Sequence, residues 1–255
     1  MPMPRTARQL SATGVYHVFL RGINRQAIFE GDDDFQRFVA VIRKCRERSS
    51  FELYGFCLLD NHVHLLLKAG EEGISQAVKR IAIGYATWYN WKYERTGHLF
   101  QDRFASEPVE HDNYLLAALR YIHQNPVRAG ICRFPEQYEW SSYRDYLGYG
   151  PGLTDIDFIK GLATDYSRDW RSWLKGFTNA ESEDSFIDCE IRPRLSDSML
   201  RARINDLYAM RNATDISALD KATRDSIISS LKEEGFGLRQ LSRVTGVPLG
   251  IVRSR

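Results

Sequence analysis

Two apolar, aromatic runs at 51–59 and 62–69 are separated by Asp60-Asn61 alone. A two-residue interval of turn-forming side chains between two strand-like runs predicts an antiparallel hairpin, and runs this apolar belong at the centre of a sheet. Upstream, Val15–Leu20 alternates, is rich in Val, Tyr and Phe, and stops at Gly22, the pattern of a strand followed by a turn. Asp32–Ser49 predicts a helix, with acidic residues at its start, basic residues at its end and Phe35, Phe38, Val39 and Ile42 at helical spacing. Ile74–Tyr93 and Asn113–His123 repeat that periodicity. The resulting order predicts an α+β fold, an antiparallel sheet with helices packed on it.

At 255 residues the chain exceeds one typical domain of roughly 100–200 residues, so a core with an appendage is expected. Glycines around Pro151 and a proline at Pro193 between two arginines divide it into 1–149, 150–190 and 191–255. Their charge balances are +2, −5 and +5, so the total of +2 is a cancellation and carries little information about a polyanionic partner. Cys45, Cys57, Cys132 and Cys189 lie far apart, which suits a reducing compartment. No apolar run reaches membrane-span or signal-peptide length, so a cytoplasmic protein is expected. No P-loop, Rossmann fingerprint, H-E-x-x-H or G-x-S-x-G motif occurs, which excludes several common enzyme classes.

The second run of the hairpin opens with Asn61-His62-Val63-His64-Leu65-Leu66-Leu67. Alternate strand residues share a face, so His62 and His64 point together and Val63 points away. Neutral imidazole is the commonest protein metal ligand, yet two half-exposed strand histidines would read the same way. In Arg120-Tyr121-Ile122-His123-Gln124-Asn125-Pro126-Val127, helical spacing puts Tyr121 and Asn125 on one face, with Asn125 expected to end the helix before Pro126. An amide oxygen suits a hard divalent cation and a tyrosine can attack a phosphate, although a core tyrosine and a capping asparagine are common too. His123, two residues from Tyr121, is expected to face elsewhere as a structural or surface residue. His17 reads either as a buried, hydrogen-bonded histidine or as one that approaches the site.

Together these motifs resemble the single-tyrosine HUH transposases. The opening Tyr16-His17-Val18-Phe19-Leu20-Arg21-Gly22-Ile23-Asn24-Arg25, the continuation Pro126-Val127-Arg128-Ala129-Gly130, and Gly97-His98-Leu99-Phe100-Gln101-Asp102-Arg103-Phe104 carry the resemblance to the branch associated with repetitive extragenic palindromes. It covers residues 15–147, and Leu59-Asp60 departs from the Met-Pro of many relatives. The resemblance implies a ferredoxin-like or RRM-like HUH catalytic domain. His62 and His64, with Asn125 at the third polar position, would hold Mg²⁺ or Mn²⁺, and Tyr121 would cleave single-stranded, hairpin-associated DNA through a 5′-phosphotyrosine. A monomer is favoured over a dimer.

Arg21, Asn24, Arg25 and Arg103 lie within these motif runs and are candidates to contact phosphate or unpaired bases. Trp88, Tyr89, Trp91 and Tyr93 offer stacking faces, with helix packing the commoner use of such residues. In the middle segment Trp170, Trp173, Leu174 and Phe177 predict a helical extension, followed by a loop over 180–188. The run 238–253 reads as a helix-turn-helix: Leu238, Leu241 and Val244 share a face, Gly246 permits the turn, and Pro248 opens the next helix. Arg243, Arg253 and Arg255 would then serve duplex DNA, against the alternative of a small helical bundle. Two rivals to strand transfer are a non-catalytic regulator that reads hairpins or palindromes and a metal hydrolase that uses water. The filled positions His62, His64, Tyr121 and Asn125 argue against the regulator.

Overall fold

The hairpin expected at Asp60-Asn61 forms as β2 (Glu52–Leu59) and β3 (His62–Lys68) in the computed structural model of the chain. The structure describes residues 9–101, 103–180, 182, 186, 197–208, 210, 212–234 and 236–253. Arg255, Pro193, Cys189 and most of the expected loop 180–188 lie outside these residues. β1 (Val15–Arg21) pairs with the free side of β3, and β4 (Ala105–Pro108) pairs with β1, giving an antiparallel sheet of order β2-β3-β1-β4. β4 reads Ala-Ser-Glu-Pro and has no strand pattern of its own. It forms because the outer edge of β1 presents backbone groups that need partners.

Strand alternation sends side chains into two cores. On one face Val18, Leu20, Val63, Leu65 and Leu67 pack with Phe56 and Leu58 of β2 against α1 (Asp32–Ser49) and α2 (Gly73–Lys92). The pairing register shifts between Leu53 and Gly55, so Leu53 joins Phe56 and Leu58 on this face across an extra residue. Asp34 is fully buried and caps the start of α1, accepting from the backbone of Glu30 at 2.6 Å and of Gly31 at 3.2 Å. It also receives Lys92 Nζ at 2.6 Å and the Tyr93 hydroxyl at 2.8 Å, which ties α1 to α2.

On the opposite face α3 (Asp112–Arg128) lays Leu115, Leu119 and Ile122 against Tyr54, Cys57 and Leu66. Gly55 permits this approach, because a Cβ there would stand 2.6 Å from Leu119 Cδ1. Asn125 does not end α3, contrary to expectation: the helix runs through Pro126 to Arg128. A proline in the last turn removes one backbone donor, and Ala129 N–H still reaches the Asn125 carbonyl at 2.9 Å. After the short α4 (Tyr143–Leu147), α5 (Ile156–Tyr166) and α6 (Trp170–Asn179) add Ile159, Ala163, Trp170 and Leu174 to the α3 core. The helical extension is thus part of the first core, and its Asp155 accepts from Leu53 N–H at 2.8 Å.

The chain separates into two compact units, Met1–Glu190 and Ile191–Arg255. The second holds α7 (Asp197–Tyr208), α8 (Lys221–Glu233), α9 (Leu238–Thr245) and α10 (Leu249–Arg253) around Leu200, Ile204, Ile228, Leu241, Val244 and Val252. Gly246, at φ +73°, ends α9 in the left-handed conformation, and its N–H reaches Ser242 O at 3.0 Å. Leu241 and Val244 are buried as expected, whereas Leu238 is 37% exposed at the first position of α9, where fewer neighbours surround it. Among the described residues no helix is long and apolar enough to cross a membrane.

Candidate active site

The β1–β3 register sets Arg21 opposite His62 and Phe19 opposite His64, and both histidines point to the α3 side of the sheet. His17 of β1 joins them. Its Nε2 lies 2.9 Å from His64 Nδ1, with the ring centroids 5.1 Å apart and the ring planes 25° from parallel. The rings of His62 and His64 are also 5.1 Å apart, and Phe19 packs against both. From α3, the Tyr121 ring lies 5.8 Å from His64 and 6.0 Å from His17. Asn125 stands one turn further on, its Nδ2 donating to Tyr121 O at 2.9 Å. Phe186 packs on Tyr121 and His17 at 5.0 and 5.9 Å. His17, His64 and Asn125 are fully buried, and Tyr121 and His62 nearly so.

Burial makes all three histidines poor bases. Desolvation holds His17 down to about 3; desolvation and then Arg21 hold His62 down to about 3. His64 falls well below its ordinary value through burial, His17 and His62, in that order. Neutral rings therefore offer lone pairs at neutral pH. Asn61 Oδ1 lies 2.6 Å from His62 Nδ1, and Asn61 Nδ2 donates to Arg25 O at 3.3 Å, which orients the amide. Since Oδ1 can only accept, His62 carries its proton on Nδ1 and leaves Nε2 bare.

His62 Nε2, His64 Nε2 and Asn125 Oδ1 are buried atoms with no hydrogen-bond partner. Each such atom costs about 1–3 kcal/mol unless something satisfies it. Two imidazole nitrogens and an amide oxygen are donors that a divalent cation accepts, so these residues fit the metal that the resemblance implies. Among the described residues there is no group of three His, Cys, Asp or Glu that could hold a metal ion.

The sheet also gathers the expected DNA contacts at the His62 end. Arg21 ends β1 half-buried, its guanidinium 5.6 Å from the Phe19 ring centroid. Asn24 and Arg25 follow at once, both exposed. Arg103, also exposed, precedes Ala105, the β4 partner of Phe19, and the neighbouring Gln101 N–H donates to Arg21 O at 2.8 Å. Arg128 was not among the candidates from sequence. Two helical turns after Tyr121, its guanidinium stands 4.7 Å from the Tyr121 ring centroid, and that seven-residue spacing was the available signal. His123 is structural, fully buried with Nε2 2.8 Å from Ser142 Oγ. Tyr89 is buried and Trp88 half-buried under Lys92, whereas Trp91 is 78% exposed. In the second unit Arg243 pairs with Asp197 at 2.9 Å, and Arg253 is exposed.

Residues 11–125 match the family model described as IS200-like transposase, a stretch that contains His17, His62, His64 and Tyr121 and ends at Asn125. A curated relative, a putative REP-associated tyrosine transposase of Haemophilus influenzae, is 27% identical over 124 residues, 44% of this chain and 69% of that protein. The solved structure of a REP-associated tyrosine transposase bound to a REP hairpin shares the fold, with a TM-score of 0.50 and 19% identity over 61% of this chain and 90% of the other. The sheet, its buried histidine pair and most of the tyrosine helix thus fall within the stretch, residues 11–125, that is similar to the IS200-like transposases.

Proposed function

We propose that this protein is an IS200-like transposase that cuts and rejoins single-stranded DNA beside a hairpin, with Tyr121 as nucleophile and Mg²⁺ or Mn²⁺ held by His62, His64 and Asn125. The observation that carries the reading is the set of three buried, partnerless atoms on these residues next to a tyrosine whose ring is 5.8 Å from His64. Bound there, the cation would polarise a phosphate oxygen as a Lewis acid. Tyr121 Oη forms the bond to phosphorus as the bond to O3′ breaks; the phenol gives up its proton and the leaving oxygen takes one up as a 3′-hydroxyl. The product is a 5′-phosphotyrosine. Because one phosphodiester replaces another, the 3′-hydroxyl of a second strand can reverse the step without a nucleotide cofactor.

A phenol needs help to ionise at neutral pH, and the cationic group beside Tyr121 is Arg128, its guanidinium 4.7 Å from the ring centroid. Arg21, Asn24, Arg25 and Arg103 would hold phosphates or unpaired bases at the His62 end of the sheet. The hairpin is carried over from the relative whose solved structure is bound to one. In the second unit, the turn at Gly246 between α9 and α10 and the exposed Arg253 favour duplex binding. Arg243 contributes less because Asp197 already engages it.

The test is incubation of wild type and Tyr121→Phe with hairpin-bearing single strands and Mn²⁺. Wild type should form a covalent protein–DNA adduct that a chelator prevents, and the variant should form at least about 10³-fold less. Equal adduct yields would remove Tyr121 from the mechanism, and adduct formation in chelator would remove the cation.

A further inference from the structure

We propose that His17 is a positioning residue: its Nε2 accepts the Nδ1–H of His64 and thereby holds His64 in the tautomer whose Nε2 lone pair faces a divalent cation. This rests on the metal reading above and assigns a role within that site to a strand residue outside the ligand set.

A neutral imidazole has one donor nitrogen and one acceptor. His64 is fully buried, its Nδ1 lies 2.9 Å from His17 Nε2, and its Nε2 has no partner. The shared proton can sit on either ring. If His17 donated, His64 would carry its proton on Nε2, a buried N–H without an acceptor that would also repel a cation. With His64 donating, Nε2 is bare and His17 carries its own proton on Nδ1, which has no partner either. Without a cation the two arrangements are similarly costly, and with one only the second binds it.

The neighbouring ligand supports this arrangement. Asn61 Oδ1, an obligate acceptor, fixes His62 with Nδ1 protonated and Nε2 bare. His17 does for His64 what Asn61 does for His62, and partners of this kind orient metal-bound histidines and keep their ligating nitrogen free. His17 is not itself a ligand through Nε2, since His64 occupies that atom. Its ring is held between His64 at 5.1 Å and Tyr121 at 6.0 Å, so it fixes the angle of His64 as well as its proton.

The experiment measures Mn²⁺ binding to the full chain without DNA, by calorimetry, for wild type, His17→Leu and His17→Gln. His17→Leu should bind roughly 10–100-fold more weakly with its cooperative unfolding retained. His17→Gln, whose Oε1 can accept from His64, should recover most of the affinity. A His17→Leu protein that binds within about twofold of wild type overturns the role of His17 and leaves the metal reading standing. Wild type that binds no Mn²⁺ overturns both, and folded His17→Gln as weak as His17→Leu overturns the acceptor role. If His17→Leu does not fold, ¹⁵N shifts of the His64 ring in wild type with Mg²⁺ decide: a protonated Nδ1 supports the proposal, and a protonated Nε2 overturns it.

Discussion

The two faces of β1 and β3 are made from alternate residues of the same strands, yet they follow opposite rules. Toward α1 and α2 stand Val18, Leu20, Val63, Leu65 and Leu67, all apolar and none more than 2% exposed. Toward α3, beside Val15 and Leu66, stand His17 and His64, fully buried, and His62, 8% exposed, each with one ring nitrogen that has no partner. Burial on the first face stabilises the fold by about 25 cal/mol per Å² of apolar surface. On the second it leaves polar atoms desolvated at about 1–3 kcal/mol each. One sheet thus separates the part that holds the molecule together from the part that carries the proposed site, and the apolar face supplies the rigidity such a site needs.

The sharpest way to break this contrast is to exchange one residue on each side. His64→Leu should lower Mn²⁺-dependent adduct formation by at least about 10²-fold while changing unfolding free energy by about 1 kcal/mol or less, because an apolar group in place of the partnerless Nε2 offsets the hydrogen bond that His17 loses. Leu65→Ala, its sequence neighbour on the other face, should cost about 2–5 kcal/mol in urea unfolding and leave the Mn²⁺ affinity of the folded protein unchanged. Similar stability losses for both variants would show that the faces are not divided in this way.

Acid should attack the polar face first. His17 and His62 have folded values of about 3 against an ordinary 6.5, so the unfolded chain binds protons that the folded chain does not. Their contribution is complete above about pH 6.5 and is lost progressively as the pH falls from there toward 3. At pH 5 each should cost about 2 kcal/mol relative to pH 7.5. Urea midpoints of metal-free protein at the two pH values measure this, and His62→Leu should flatten the dependence by one histidine's share. An unchanged slope would mean that His62 is protonated in the folded protein.

The smallest expected effect lies beside the polar face, at Arg128. Arg128→Ala should slow adduct formation by about tenfold at pH 7, with the deficit narrowing at pH 9 if the guanidinium acts by favouring the phenolate. A deficit that is equal at both pH values would assign Arg128 to DNA binding instead.

Much of the contrast was legible from sequence. Period-two spacing puts His62 and His64 on one face whatever they pack against, and the two-residue Asp60-Asn61 interval makes that strand the second arm of a hairpin. Helical spacing likewise puts Tyr121 and Asn125 in line. Other features were not legible because their causes are non-local. Ala-Ser-Glu-Pro becomes β4 through the open edge of β1, α3 continues past Pro126 because its final turn loses only one bond, and Leu238 is left partly exposed by the packing of α9.

By itself, the sequence determined β1, the central hairpin, the three long helices of the first unit and the faces on which the chemical side chains stand, since these follow from backbone periodicity within a few residues. Only the tertiary structure decided that His17 meets His64, that Gly55 admits α3 close to the sheet, and that Arg128 lies over Tyr121. The first two depend on strands and helices far apart in the chain reaching ångström-scale contact. The third depends on the helix continuing past a proline that local rules would have made its end.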